Sequence, residues 1–198
     1  MATRVLELSE YKQIIELMLD GFTTLGGSEF RPNKRVALAL QLQASLGLRI
    51  GDVLKLQVNN FRNGKLEVRE KKSGKLQYRE INHNVYDYIK DYAIENRLAK
   101  DDKLFNIKVR VVQKQLTFVT EYLGLENIGT HSFRKLYATT VFERNNNNLE
   151  LVRELLNHTS IATTQRYIRV SQQAINKASS EMDFVSRRGI LAERKGKI

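Results

Sequence analysis

The segment LLNHTSIATTQRYIRV, residues 155–170, places His158 nine positions before Tyr167, with Arg166 beside the tyrosine and Arg169 two positions beyond it. A phenol is a poor nucleophile, with a pKa of about 10, unless cations and a base assist it. Cations are plentiful on this segment. The ordinary use of such a tyrosine is as a core or interface aromatic, so Tyr167 is either packing or a reacting group.

Further along the same line of chemistry, THSFRKLYATT sets His131 and Arg134 three positions apart, which on a helix puts both side chains on one face. Together they can donate hydrogen bonds to an oxyanion or phosphate; the plainer alternative is a helix start with incidental polar residues. In SLGLRIGDVLKL, Arg49 follows the glycine that closes an apolar stretch and sits between Leu48 and Ile50. Arginine is rarely buried without a partner, so its head is aimed at something acidic, either a bound anion or nearby Asp52. KKSGK, residues 71–75, presents Lys71, Lys72 and Lys75 on a turn, where an ammonium can reach a groove, donate a proton or simply be solvated.

Composition narrows the partners. Lys and Arg total 33 against 22 Asp and Glu, a net charge of +11, and the pI is about 9.8. Such a field favours a polyanion, of which nucleic acid is the commonest. The chain has no cysteine, which excludes a disulfide scaffold, a Cys-based zinc site and a thiol nucleophile. Its histidines, at 83, 131 and 158, lack close metal-ligand spacing. No apolar run approaches a membrane span, and MATRVLELSEYK has no signal-peptide core. The expectation is a soluble intracellular protein with no cofactor.

The elements that must position these residues are mainly helical. A first helix is expected over about Glu10 to Leu19, then a polar break at GGSEFRPN, 26–33, with the single proline. KRVALALQLQASLGLR, 34–49, reads as a mostly buried helix ending near Gly47 in a left-handed cap. GKLEVRE and GKLQYREI alternate apolar and polar residues, with NG and SG turns, and predict a three-stranded antiparallel sheet over about Asn60 to Ile81. From residue 83 the three-to-four spacing predicts helices, broken by NNNN at 145–148, with IATTQRYIRV as the last of them and a turn near Thr159 before it. The fold class is therefore α+β, mainly α with a small three-stranded antiparallel sheet.

Taken together, the ordered set of an arginine, a hairpin lysine, His-x-x-Arg, the histidine of LLNH and a tyrosine nine residues later resembles the catalytic domain of the tyrosine recombinases, the phage-integrase family. GLRIGDVLKL is similar to that family's first-arginine box. HSFRKLYATTVFERNNNNLELVRELLNHTSIATTQRYIRV is similar to its second box, and the resemblance covers about Lys34 to Val170. It implies that Tyr167 attacks a DNA phosphodiester and forms a 3′-phosphotyrosyl link, without metal or ATP. It also implies that Arg49 and Arg134 clamp the non-bridging oxygens, that His158 donates a further hydrogen bond and that His131 is the general base. Lys72, which directly precedes the SG turn, is implied as the general acid, with Lys71 and Lys75 as alternatives. Asp52 is implied to orient Arg49, and Lys71, Lys75, Arg166 and Arg169 to contact DNA.

The implied organisation is a catalytic domain over 1–170, with its core at about 34–170, and a tail over 171–198 whose EMDFV patch docks on a neighbouring subunit. Only about 30 residues precede the first long catalytic helix, so no N-terminal core-binding domain is expected, and the chain is either a fragment or a small member of the family. The implied partners are double-stranded DNA, further copies of the chain (a tetramer in synapsis) and DNA-bending proteins, in the cytoplasm. A non-enzymatic DNA-binding regulator of the same fold and a relaxing topoisomerase are the competing readings. Arg134→Ala is expected to leave the fold intact and abolish cleavage.

Overall fold

The computed structural model describes residues 3–69, 76–165, 167–168 and 179–180. The chain divides into two units, Met1–Ile168 and Arg169–Ile198, and the architecture below is that of the first.

Helix α1, Leu8–Asp20, buries Ile14, Ile15 and Met18 on one face. Its start is fixed by Glu10, which accepts the Glu7 N–H and pairs with Arg4 at 2.6 Å. The polar break after it contains a short hairpin, β1 (Phe22–Thr23) paired with β2 (Glu29–Phe30). Two-residue strands are too short for alternation to register in a sequence. Their aromatics form the hairpin's core instead: Phe22 and Phe30 stack at 5.0 Å, and Phe22 also meets Tyr122 at 4.0 Å.

Helix α2, Lys34–Leu46, is capped by the Asn33 side chain and buries Val36 through Leu40 in an unbroken run, then Leu42, Gln43 and Leu46. A helix buried nearly all round must be central, and α2 packs on α1 and on the later helix Thr130–Arg144. It ends where expected: Gly47 has φ 63° and ψ 15° and donates its N–H to Gln43 O at 3.0 Å. A Cβ there would lie 2.4 Å from Cδ1 of Tyr137, so both the backbone conformation and the close ring require glycine.

A one-turn helix α3, Ile50–Val53, and a 3-10 turn at Val58–Asn60 lead into the antiparallel sheet β3 (Phe61–Arg62), β4 (Lys65–Arg69) and β5 (Leu76–Glu80), in that order across the sheet. Asn63 and Gly64 carry the positive φ values of a tight hairpin turn. Leu66 and Val68 face the core, while Leu76 and Tyr78 are exposed. The predicted sheet is thus present with its limits nearly as read. Lys71, Lys72 and Lys75 lie outside the described residues.

Helices α4 (His83–Glu95) and α5 (Val109–Tyr122) follow, then α6 (Thr130–Arg144), α7 (Leu149–Leu155) and α8 (Ile161–Gln165). The NNNN segment makes the α6–α7 turn, with Asn146 and Asn147 at positive φ and the Asn148 side chain capping α7. The last helix departs from expectation. Its described residues are Ile161–Gln165, and Tyr167 lies in a turn beyond them. The β-branched run Ile161, Thr163 and Thr164 favours helix poorly. The Tyr167 ring instead joins a small apolar cluster built on Ala138, Val152 and Leu156. Arg166, Arg169 and the EMDFV patch lie outside the described residues. No helix among the described residues is long and apolar enough to cross a membrane.

Candidate active site

The site forms where the ends of α2 and α7 meet. Past α2, the left-handed Gly47 turns the chain so that Arg49 takes an extended conformation and opens α3, its carbonyl accepting the N–H of Asp52 and Val53 at 2.8 and 2.9 Å. Gln43, fully buried on α2, donates from Nε2 to Leu48 O at 3.4 Å and steadies that turn. Past α7, Asn157 adopts φ 51° and reverses the chain before His158. Arg153 holds the reversal from α7, donating to His158 O at 3.1 Å while its guanidinium is gripped by Glu150 and Glu154.

Arg134, in the first half of α6, joins the two turns. Its side chain is completely buried. Nη1 donates to Gly47 O at 2.6 Å, and Nη2 donates to Leu156 O at 2.8 Å and lies 3.3 Å from His158 Nε2. Both carbonyls sit at helix C-termini, where the backbone dipole leaves partial negative charge. Arg134→Ala would leave these two buried carbonyls without their donor, so a loss of stability is expected beside the loss of cleavage.

A second arginine repeats the arrangement one residue earlier on each helix. Arg79, on β5, donates to Leu46 O and, at 3.1 Å, to Leu155 O; it also donates to Tyr137 Oη at 3.3 Å and lies 5.7 Å above that ring. Sequence reasoning passed over Arg79, whose partners are backbone groups far along the chain.

His158 is buried between these elements. Its Nδ1 lies 3.0 Å from the Thr164 hydroxyl, and its ring meets the Tyr167 ring edge-on at 4.9 Å. Burial, then the charge of Arg134, then that of Arg49 push its pKa down to about 4. The ring is therefore neutral near pH 7, and both guanidiniums act on it. Arg134 thus touches the ring directly, and the charge of Arg49 also acts on it.

Tyr167 is half-buried. Its N–H donates to Thr164 O at 2.9 Å, and Lys135 Nζ sits 5.8 Å from the ring centroid while donating to Thr3 O. The two rings touch, a contact that a turn near Thr159 did not require. Lys135 also went unnoticed in the sequence, although its spacing four past His131 puts it on that residue's face of α6. His131 itself is exposed and lines a cleft of about 490 Å³ with Thr3, Gln113 and Thr117. Asp52 is buried and pairs with Lys55 at 3.8 Å. Among the described residues, no three His, Asp or Glu side chains gather where they could hold a metal ion.

The arrangement gathers a phenol, a neutral imidazole and several cations in one place, which suits nucleophilic attack on a phosphate. Residues 4–174 match the family model described as the phage integrase family. The chain is 31% identical over 152 residues to the probable integrase/recombinase YoeC of Bacillus subtilis (strain 168), covering 74% of this chain and 83% of that protein. It is 28% identical over 168 residues to the tyrosine recombinase XerC of Rickettsia bellii (strain OSU 85-389), covering 79% of this chain and 54% of XerC, so it spans about half the length of that relative. Among solved structures, the XerH site-specific recombinase in a post-cleavage complex with its palindromic difH substrate superposes with a TM-score of 0.70 at 23% identity. That match covers 89% of this chain and 52% of XerH.

Proposed function

This chain belongs to the phage integrase family, and from that premise we propose that it is a site-specific DNA recombinase working through a 3′-phosphotyrosyl intermediate. The observation that carries the reading is the contact of both Arg134 and Tyr167 with the buried ring of His158. A regulator that only binds DNA has no need of a tyrosine at that point.

In the proposed reaction, Tyr167 Oη attacks the scissile phosphorus and its proton passes to His131. The phosphorus–tyrosine bond forms as the bond to the 5′-oxygen breaks, and Lys72 protonates the departing oxygen. The bond energy stays in the phosphotyrosyl link, so religation is the reverse sequence and consumes no ATP. Arg49 and Arg134 offset the charge that builds on the non-bridging oxygens, a preorganised electrostatic role. The arriving phosphate oxygen takes the place of His158 at Arg134 Nη2, while the bonds to Gly47 O and Leu156 O stay. His158 then donates from Nε2 to the same phosphate. Asp52 orients the turn that carries Arg49, and Lys71, Lys75, Arg166 and Arg169 contact DNA.

The partners in this reading are double-stranded DNA in the cytoplasm, further copies of the chain assembling to a tetramer on it, and accessory DNA-bending proteins. Residues 1–170 form the catalytic domain, and the tail with EMDFV docks on a neighbouring subunit. The test incubates the protein with nicked duplexes carrying a randomised pool of sites, then denatures and resolves the products. A covalent adduct that disappears in Tyr167→Phe supports the enzyme. Binding without adduct would favour the regulator, and relaxation of an arbitrary supercoiled plasmid would favour the topoisomerase.

A further inference from the structure

Thr164 has no role in the chemistry above, yet it holds both ends of the site. Its side chain is fully buried, its hydroxyl lies 3.0 Å from His158 Nδ1, and its carbonyl accepts the Tyr167 N–H at 2.9 Å. The donor in the hydroxyl–imidazole contact follows from the opposite side of the ring. Arginine has only donors, so Arg134 Nη2, 3.3 Å from Nε2, requires Nε2 to be the acceptor. A neutral ring that accepts at Nε2 carries its hydrogen on Nδ1. Nδ1–H therefore donates to Thr164 Oγ1.

We propose that Thr164 is a positioning residue for DNA cleavage, its hydroxyl holding the ring plane of His158 in whichever tautomer Arg134 and the phosphate set, while its carbonyl fixes the backbone of Tyr167. The inference deepens the proposed function and rests on it for the cleavage step alone. A threonine hydroxyl donates as well as accepts. The same contact therefore survives when phosphate displaces His158 from Arg134 and the ring must present Nε2–H. In that change Nδ1 gives one proton to solvent and Nε2 takes one from it, so the ring is neutral before and after, and the hydroxyl turns from acceptor to donor. Valine has the shape of threonine and can do neither.

The test labels histidine with nitrogen-15 in the full chain without DNA and reads the ring nitrogens of His158, identified by their loss in His158→Gln. The wild type and Thr164→Ser are expected to show a protonated Nδ1 and an unprotonated Nε2; in Thr164→Val, where Nδ1–H loses its acceptor, both ring nitrogens are expected to move away from those positions. On the nicked duplex pool, adduct formation should fall by about ten- to a hundredfold in Thr164→Val, the scale set by losing one buried hydrogen-bond partner, and should be largely kept in Thr164→Ser. A wild-type ring protonated at Nε2, or a Thr164→Val spectrum identical to wild type, would overturn the assignment. So would an altered spectrum with an unchanged cleavage rate. If no variant forms adducts, wild type included, the proposed function fails while the nitrogen spectrum still decides what Thr164 does to the ring.

Discussion

Replacing Arg134 with alanine should unfold the protein at markedly lower denaturant, in addition to removing a cation from the site. The guanidinium donates to Gly47 O at 2.6 Å and to Leu156 O at 2.8 Å, and the side chain is completely buried. Hydrogen bonds from a charged donor contribute about 1.5–3 kcal/mol each, so the pair amounts to about 3–6 kcal/mol, before any loss of packing. Domains of this kind have about 5–15 kcal/mol in total, and a urea m-value of about 3 kcal/mol per molar would turn the loss into a midpoint lowered by about 1–2 M. The assay is urea unfolding followed by far-ultraviolet circular dichroism. Arg134→Lys, whose single ammonium cannot span both carbonyls with the same geometry, should fall between wild type and alanine. A midpoint within about 0.3 M of wild type for the alanine variant would refute the reasoning. It would mean that the two carbonyls find other partners and that the arginine is not what joins the helix ends.

The remaining predictions concern the same junction. Arg79→Met should destabilise by about 1–3 kcal/mol through the carbonyls of Leu46 and Leu155; combined with Arg134→Ala it should give a coupling energy above about 0.5 kcal/mol in a double-mutant cycle. His158 has its pKa lowered from 6.5 to about 4, so between those values the unfolded state binds more protons. Its contribution, of up to about 3 kcal/mol, is complete above pH 6.5 and is lost as pH falls towards 4. Urea midpoints across that range should drop in the wild type and drop less in His158→Gln. Gly47→Ala forces a Cβ to within 2.4 Å of the Tyr137 ring at φ 63°; it should lower the thermal midpoint and abolish adduct formation by displacing Arg49, both measurable on one preparation.

What the sequence reveals here depends on whether a residue's role is carried by its own chain neighbours. The Gly47 cap and the NG turn at 63–64 are local backbone requirements, and both were legible. The types at positions 49, 134, 158 and 167 were also legible, because their spacing is that of a family with a phosphate to hold. The burial of Arg134 was not: a helical arginine three past a histidine looks like a surface donor until the carbonyls of two other helices are brought to it. Arg79 was invisible for the same reason, since every residue has a carbonyl and no pattern marks Leu46 and Leu155 as the ones that matter. The early end of α8 was hidden because IATTQRYIRV keeps its apolar spacing through Tyr167 and Ile168. Those residues satisfy that spacing by packing on Ala138, Val152 and Leu156 instead of extending the helix.

The double arginine junction also bears on how a basic site is stored in the absence of DNA. The C-termini of α2 and α7 converge, and each brings partial negative charge. Leu46 O and Leu155 O engage Arg79, while Gly47 O and Leu156 O engage Arg134. A carboxylate could balance either guanidinium as well, but it would bring a full negative charge into the place where, in the proposed function, a phosphate sits. Carbonyl oxygens satisfy the donors and hold the helix ends together while repelling an anion far less. The positive field around His158 is thereby largely preserved; burial first, then the charges of Arg134 and Arg49, hold its pKa down at about 4. In the proposed function, the cations that steady the fold are therefore the same ones that attract DNA.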